Sequence, residues 1–176
     1  MKKHSKLLLS TFLLIFTFSI PAIAFQADIT KICFSPGGNC TAAIVEQIDN
    51  AKFEILIQAY SFTSVPIAKA LINSHKRGVK IEAILDKSNV TGNYSSATYL
   101  ANNNIPVFID SIHAIAHNKI MIIDKEIVIT GSFNFTKAAE EKNAENLLII
   151  KSKELAQTYM NNWTKHKQHS EEYKGR

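Results

Sequence analysis

Cysteine and net charge are both scarce in this sequence. The two cysteines are Cys33 and Cys40, and no third cysteine is present to complete a metal site built on thiolates. The formal charge of +5 at pH 7 includes three lysines in the first 24 residues, so it falls to +2 without that segment. A mild positive excess permits an anionic partner but does not identify one. Composition therefore argues against a thiolate metal module and leaves the partner open.

An apolar run long enough to span a membrane is also missing. Residues 7–20 are almost continuously apolar, but about 14 residues fall short of the roughly 20 that a transmembrane helix needs. The run follows three lysines and precedes Ala22-Ile23-Ala24, a small-residue pattern that a signal peptidase recognises. We therefore expect residues 1–24 to be a signal peptide and residues 25–176 to be the mature domain. Such a protein would be periplasmic or secreted, with no stable membrane insertion after cleavage.

Export affects what the two cysteines are expected to do. A turn-forming sequence, Phe-Ser-Pro-Gly-Gly-Asn, separates Cys33 from Cys40. In an oxidising compartment we expect a disulfide that closes this loop, with a stabilisation of about 2 kcal/mol from loop entropy. It would constrain only the N-terminal part of the domain.

Strand-like and helix-like patterns alternate along the mature chain. The short apolar runs that predict strands are residues 32–34, 53–60, 79–85 and 107–109. The segments with helical signals are residues 41–50, 64–75, 97–103 and 154–169. The polar run 86–96 predicts a loop, and residues 171–176 are expected to fray. This order predicts a single α/β domain, in which helices flank a mixed, largely parallel β-sheet.

The stretch HAIAHNKIMIID, residues 113–124, has two histidines at a spacing that zinc-binding helices use. His113 and His117 would share one face of a helix. The β-rich residues that follow argue against a helix, the glutamate of a zinc-protease motif is absent, and no third ligand is evident. We therefore expect no metal at this pair, and the sequence assigns no role to His113.

Two β-rich runs flank the polar turn 124–126 and predict a β-hairpin. Side chains alternate along a strand, so His117 and Lys119 would lie on the same face. After the second run, Ser132 and Asn134 would share a face if the backbone stays extended. An imidazole nucleophile beside ammonium, hydroxyl and amide donors is suited to bind and attack a phosphodiester.

This pattern resembles the HKD motif of the phospholipase D superfamily. The matching residues are His117-x-Lys119-x4-Asp124, then Gly131-Ser132-x-Asn134, and later Glu145. With its leader and its single motif, the chain looks like the small secreted bacterial endonuclease branch of that superfamily. The resemblance implies the phospholipase D/nuclease fold and a phosphodiesterase that needs neither a metal nor another cofactor.

The resemblance also implies how the polar residues share the reaction. His117 would attack phosphorus and form a phosphohistidine intermediate, which water then hydrolyses. Lys119, Ser132 and Asn134 would hold the nonbridging oxygens and stabilise the charge that builds in the transition state.

Two acidic residues have supporting roles by the same resemblance. Glu145 would accept a hydrogen bond from the other ring nitrogen of His117 and fix its tautomer. Asp124 lies beyond the strand at the turn, so an orienting or structural salt-bridge role is expected. The predicted site residues are His117, Lys119, Asp124, Ser132, Asn134 and Glu145.

A second copy of the motif is missing from the chain. The reaction needs a nucleophile and a general acid, which the superfamily supplies from two motifs. The resemblance therefore implies a homodimer, with two copies of His117 facing each other across a twofold axis and taking the two roles.

The sequence leaves three functions to compare. The first is a nonspecific endonuclease that acts on DNA, with RNA as a further candidate substrate. The second is a phospholipase or phosphatidyltransferase that uses the same pocket on a lipid headgroup, although the mature sequence has no obvious apolar segment for a bilayer surface. The third, a noncatalytic DNA-binding module, is disfavoured by the low net charge and by the complete set of predicted catalytic residues.

Overall fold

Eight strands form one mixed sheet in the computed structural model, which describes residues 26–92 and 95–175. The strands are β1 (Asp28–Ser35), β2 (Glu54–Ala59), β3 (Lys80–Asp86), β4 (Val107–Asp110), β5 (Lys119–Ile123), β6 (Ile127–Gly131), β7 (Glu145–Lys151) and β8 (Glu171–Tyr173). The helices are α1 (Cys40–Asn50), α2 (Val65–Lys76), α3 (Ser88–Thr91), α4 (Ser96–Ala101), α5 (Lys137–Glu141) and α6 (Lys153–His169). The predicted α/β architecture with a mixed sheet flanked by helices is confirmed.

The prediction that the sheet is largely parallel is wrong. Within the described residues the strand order is β1-β7-β6-β5-β2-β3-β4-β8. Two of the seven pairings, β2–β3 and β3–β4, are parallel, and the other five are antiparallel. The β-α-β units between β2 and β4 supply the parallel strands. The antiparallel pairings are the β5–β6 hairpin, the β6–β7 pair connected through the short α5, and three pairs between segments farther apart in the chain, β1–β7, β2–β5 and β4–β8.

Each face of the sheet has its own apolar layer, because side chains alternate along the strands. On β2, Ile55 and Ile57 belong to the larger cluster with α1 and α2, whereas Leu56 belongs to the layer under α6. Trp163 of α6 packs in that second layer, and its indole N–H donates to the Ile57 carbonyl at 2.9 Å. The apolar face of α6 is therefore part of the core, and α6 is held against the central strands.

Two segments differ from their predicted structure. The polar run 86–96 contains α3, because the buried Asp86 carboxylate accepts a hydrogen bond from the Ser88 backbone N–H at 2.9 Å and starts a helical turn. The chain end predicted to fray forms β8 on the outer edge of β4. The Tyr173 hydroxyl is 2.8 Å from the Thr98 hydroxyl, which secures this short strand to α4.

The predicted signal peptide lies outside the described residues, so cleavage and export stay predictions. Within the described ranges, no helix combines the length and hydropathy needed to cross a bilayer. The 17-residue α6 buries one face against the sheet and leaves charged residues on the other.

Both cysteine side chains are buried where β1 leads into α1, and both are free thiols. Burial, followed by the neighbouring Cys33 thiol, raises the pKa of Cys40 to about 12. A thiol with such a pKa is a poor nucleophile at neutral pH, so a structural role suits Cys40 better than a catalytic one. The disulfide stays a prediction, and titration of thiols in the denatured mature protein would test it.

Candidate active site

The sheet topology brings the predicted site residues to one edge. β2, β3 and β4 are parallel, so their carboxyl ends meet there. β5 runs antiparallel to β2 with Lys119 opposite Ala59, which puts the beginning of β5 at the same edge. β6 ends and β7 begins there as well, with Gly131 opposite Leu147. His117, Ser132 and Glu145 therefore lie at the same edge of the sheet, although they belong to three different segments.

His117 and Lys119 contact the same aromatic ring. The His117 ring centroid is 4.8 Å from that of Tyr60, and the Lys119 Nζ lies 5.2 Å from the Tyr60 centroid. The imidazole is exposed and has no hydrogen bond within the described ranges, so its nitrogens are free to engage a substrate. The Lys119 side chain is buried and donates one hydrogen bond, at 2.8 Å, to the backbone carbonyl of His117. The structure thus brings an imidazole and an ammonium together at the mouth of the cleft.

Burial and the Glu145 carboxylate shift the pKa of Lys119 in opposite directions. Loss of solvent lowers the pKa of this ammonium, and the negative charge of Glu145 opposes that shift. An ammonium has three N–H donors, and the described residues take one of them. Lys119 can therefore supply positive charge and further hydrogen bonds to an anion in a site from which water is partly excluded.

Ser132 and Glu145 are hydrogen-bonded to each other. The Ser132 hydroxyl donates to the Glu145 carboxylate at 2.6 Å and accepts from the Asn146 backbone N–H at 3.1 Å. The other Glu145 oxygen accepts from the Asn143 amide at 3.0 Å. The predicted bond from the His117 ring to Glu145 is not formed in the described chain. The reason is register, because Ser132 follows β6 directly and faces the start of β7.

Gly131 is required by the close approach of β7. Its φ of 149° is unfavourable for other residues, and a Cβ there would lie 2.3 Å from the Asn146 carbonyl oxygen. That same carbonyl accepts hydrogen bonds from the backbone N–H groups of Ser132 and Phe133 at 3.1 and 3.2 Å. The glycine allows the sharp exit from β6 that directs Ser132 toward Glu145.

The Asn134 side chain has a buried carbonyl oxygen without a hydrogen-bond partner in the described part of the chain. Such a group costs about 1–3 kcal/mol when it is left unpaired. Asn134 lies two residues beyond Ser132, before the bridge that pairs Phe135 with Phe62. This oxygen is an acceptor and cannot itself bind a phosphate oxygen. The predicted binding role needs the N–H groups of the Asn134 amide, and it stays a prediction.

The structure does not bring Asp124 to the cleft. Asp124 begins the turn at the opposite end of β5, roughly 20 Å from His117 at the usual rise per residue of a strand. Its two carboxylate oxygens accept hydrogen bonds from the backbone N–H groups of Lys52, Phe53 and Glu54 at 2.8–3.0 Å. A direct catalytic role is excluded by distance. The structural role holds, through backbone amides instead of the expected salt bridge.

Replacing Asp124 with alanine should lower stability without altering the chemistry. The loss of three accepted hydrogen bonds, together with a left-handed φ of 52°, predicts a decrease of about 2–3 kcal/mol in the free energy of unfolding. Urea unfolding and kcat at a temperature where the variant is folded would measure both effects. Asp124→Asn, which keeps one acceptor, should lose less. A kcat that falls more than about tenfold in folded Asp124→Ala would contradict this assignment.

Sequence reasoning missed two buried acids that hold the loop preceding β5. Asp86 and Asp110 end β3 and β4 and lie opposite each other in the sheet. Asp86 accepts a hydrogen bond from the Ala116 backbone N–H at 2.8 Å, one residue before His117. Burial alone would raise the pKa of Asp86, but hydrogen bonds from Ser88 and Ala116 outweigh it and hold that pKa below its usual range. An acid at the carboxyl end of each apolar strand was the available signal.

Removing the charge of Glu145 should move the pH dependence of activity. Glu145 keeps the pKa of Lys119 from falling further, so Glu145→Gln lowers that pKa. If Lys119 binds phosphate as predicted, it must be protonated, and the alkaline limb of kcat/KM should shift to lower pH. The matched control is Glu141→Gln, which removes the same charge from an exposed residue on α5. An alkaline limb that stays in place or moves upward in Glu145→Gln would contradict this coupling.

The cleft beside His117 is open, and polar and apolar groups both line it. It has a volume of about 440 Å³. Its lining residues are His117, Asn118, Lys119, Ile120, Thr130, Gly131, Thr158, Tyr159 and Asn162. Among the described residues, the one group of ligand side chains close enough to hold a metal ion is Asp110, His113, His166 and His169. None of these four is a predicted catalytic residue.

Known proteins resemble this chain in sequence and in fold. A family model described as "Cardiolipin synthase, PLD-like domain" matches residues 44–167. A Rickettsia conorii protein named phospholipase D is 49% identical over 135 residues, which cover 77% of this chain and 68% of that protein. The crystal structure of Nuc from Salmonella typhimurium, a phospholipase D family member, matches with a TM-score of 0.81 at 38% identity, covering 85% of this chain and 100% of that one. NucT from Helicobacter pylori matches with a TM-score of 0.77 at 26% identity and the same coverage.

Proposed function

This chain belongs to the phospholipase D superfamily and is a phosphodiesterase, and from that premise we propose that it is a metal-independent endonuclease of DNA. The observation that carries the proposal is the exposed His117 imidazole beside the buried Lys119 ammonium, both packed on Tyr60. One group can attack phosphorus while the other binds the phosphate. RNA, which presents the same phosphodiester, is a further candidate substrate.

The proposed reaction has two steps at His117. A ring nitrogen attacks phosphorus, a phosphorus–nitrogen bond forms, and the bond to the leaving oxygen breaks as a general acid protonates that oxygen. Water then attacks phosphorus, loses a proton to the same acid–base group, and releases His117. Lys119 and Asn134 hold the nonbridging oxygens throughout. In this scheme a fixed ammonium, already desolvated, stabilises the charge that develops in each transition state.

Glu145 and Ser132 are proposed to support this reaction from the side of β7. The Glu145 carboxylate maintains the charge of Lys119, and its bond to Ser132 fixes the serine hydroxyl. The resemblance to the superfamily implies a hydrogen bond from the His117 ring to Glu145. For that bond to form, the imidazole must turn toward β7 when substrate binds. Ser132 would contribute its hydroxyl to the phosphate after Glu145 has taken this second partner.

The general acid is proposed to be His117 of a second copy of the chain. The site residues of one chain provide one imidazole in the cleft, and the mechanism uses two. Exposed apolar side chains adjoin the site on β1, where Ile32 and Phe34 are 51% and 67% exposed. Phe34 is opposite Asn146, whose backbone and amide both bond Ser132. An apolar surface continuous with the site is suited to a twofold interface.

A heterodimer of one wild-type and one His117→Ala chain tests the shared site. The two chains are co-expressed with different affinity tags and purified through both tags. If the two imidazoles act as nucleophile and general acid on one phosphodiester, the heterodimer should keep less than about 1% of wild-type activity. Independent sites would leave about half of it. A fully active monomer in sedimentation experiments would also contradict the shared site.

Polar side chains within the cleft support a nucleic acid as substrate. Thr130, Thr158 and Asn162 can hydrogen-bond to a sugar–phosphate backbone. The half-buried Tyr159 offers an aromatic surface for an unstacked base. These contacts read the backbone and not the base edges, so the proposed cleavage is without sequence preference.

A phospholipid headgroup is the second candidate substrate, and one observation favours it. Ile112 and Ile115, on the loop that leads to His117, are 66% and 56% exposed. The sequence indicated no such apolar segment, because the two isoleucines are separated by polar and small residues. Large apolar side chains beside a phosphodiester site suit a lipid surface as well as a protein interface.

The deciding experiment offers both substrates to purified mature protein. Supercoiled plasmid and labelled phosphatidylcholine are incubated separately with wild-type protein and with His117→Ala, each in excess EDTA. The proposal predicts plasmid nicking that survives EDTA and is lost in the variant. Nicking that EDTA abolishes would contradict metal independence, and lipid turnover without nicking would assign the protein to the second substrate.

A further inference from the structure

Three histidines surround one buried carboxylate at the base of the loop that leads to His117. Asp110 ends β4, and its carboxylate is inaccessible to solvent. The His113 Nδ1 lies 3.0 Å from this carboxylate, the His166 Nδ1 2.8 Å and the His169 Nε2 3.3 Å. His166 and His169 belong to the last turn of α6, whereas His113 belongs to the loop after β4. The cluster therefore connects the loop after β4 to the C-terminal turn of α6.

The rings are arranged around a common point. Their centroids are separated by 5.0, 5.2 and 5.2 Å, which makes a nearly equilateral triangle. Three imidazoles bound to one tetrahedral metal at about 2.1 Å would have centroids about 5.2 Å apart. The four candidate ligand atoms lie within 4.8 Å of one another, and the spacing within a tetrahedral zinc site is about 3.4 Å. Small side-chain rotations would therefore bring all four atoms onto one ion.

Hydrogen bonding to Asp110 alone explains less of this arrangement. A neutral imidazole can donate its one N–H to a carboxylate, but such bonds do not require three rings to meet around one common point. The Asp110 carboxylate is fully buried and lies within hydrogen-bond distance of all three rings, so it is placed to serve as the anionic ligand. A divalent cation in place of the N–H protons would satisfy the carboxylate and all three rings together.

We propose that Asp110, His113, His166 and His169 bind one divalent transition-metal ion of the kind that prefers imidazole ligands, with Zn²⁺ as its representative. Four protein ligands fill a tetrahedral shell and leave no position for substrate, which makes the site structural. The ion would fasten the loop between β4 and β5 to the C-terminal turn of α6.

This site lies outside the proposed phosphodiesterase chemistry. His113 binds the ion while His117, four residues later, faces the cleft, so the two histidines of one short stretch have separate tasks. The Asp86 bond to the Ala116 N–H holds the segment between them with or without metal. The ion should therefore raise stability, whereas metal-free protein that is still folded should cleave phosphodiesters.

The test measures metal binding in the absence of substrate. Mature protein is stripped with EDTA, exchanged into chelator-free buffer and titrated with Zn²⁺ by calorimetry, and with Co²⁺ by visible absorption. One equivalent per chain is expected, with the absorption of tetrahedral cobalt and a higher Tm in the presence of Zn²⁺. His166→Gln and His169→Gln should each weaken binding by at least about 100-fold and remove the rise in Tm.

His75→Gln is the matched control, because His75 lies on α2 and its ring hydrogen-bonds only the Val79 carbonyl among the described residues. It should bind one equivalent as the wild type does. If the α6 variants unfold without metal, His113→Gln replaces them, since that side chain is 44% exposed and lies in a loop. Binding that is absent, or that persists in the folded His113 or α6 variants, would overturn the proposal. The result is independent of any nicking assay.

Discussion

Replacing His117 with alanine should reduce kcat for phosphodiester cleavage by at least about 10⁴-fold. The imidazole forms the covalent bond to phosphorus in the first step, and no other described side chain in the cleft is a comparable nucleophile. The exposed ring has no hydrogen bond within the described ranges, so its removal should change the free energy of unfolding by less than about 1 kcal/mol. Plasmid nicking rates and urea unfolding would measure the two quantities.

The matched control is His75→Ala, which removes a histidine outside both the cleft and the Asp110 cluster. Its nicking rate should equal that of the wild type. A His117→Ala protein that is folded and keeps more than about 1% of the activity would contradict the role of His117 as nucleophile.

Replacing Lys119 with methionine should reduce kcat by about 10²- to 10³-fold, because one preorganised charged donor is lost from the transition state. Methionine is nearly as long as lysine but has no charge. The ammonium is buried at a cost that appears in its lowered pKa, so its removal should leave stability unchanged or slightly raised. A buried charge that serves function lowers the free energy of unfolding, so its removal should reduce activity without reducing stability.

Lys119→Arg separates charge from geometry. It keeps a positive charge but puts a wider, planar group into a buried position that bonds the His117 carbonyl. Activity should lie between that of the wild type and that of Lys119→Met. If Lys119→Met loses activity only in proportion to lost folded protein, Lys119 is a structural residue and the proposed phosphate contact is wrong.

Local periodicity was sufficient to predict the hairpin and its first two site residues. The two-residue step from His117 to Lys119 and the polar turn at 124–126 are both encoded within about ten residues of sequence. Most helices were predicted within a few residues because their apolar faces and caps are also local. The same pattern could not fix the sheet order, because the insertion of β5 beside β2 depends on pairing between distant segments.

Site contacts that depend on distant pairing were the ones missed. Glu145 bonds Ser132 because β6 and β7 are neighbours in a particular register. His113 acquires partners because α6 returns to the end of β4, and Asp110 and His166 are 56 residues apart in sequence. Neither contact can be predicted from the spacing of residues within a short stretch of sequence. Asp124 shows the converse, since its place at the turn is local information, and that information predicted the structural role that the three backbone hydrogen bonds give it.

The central claim is that His117 becomes covalently attached to the phosphoryl group during turnover. It is tested by mixing the mature protein with a short oligonucleotide in EDTA, quenching within milliseconds at alkaline pH, where phosphohistidine is stable, and analysing the peptides by mass spectrometry. A nucleotidyl or phosphoryl adduct should appear on the peptide that contains His117, and Lys119→Met should form it more slowly. Product that forms at the wild-type rate with no adduct at any time point would contradict the covalent mechanism.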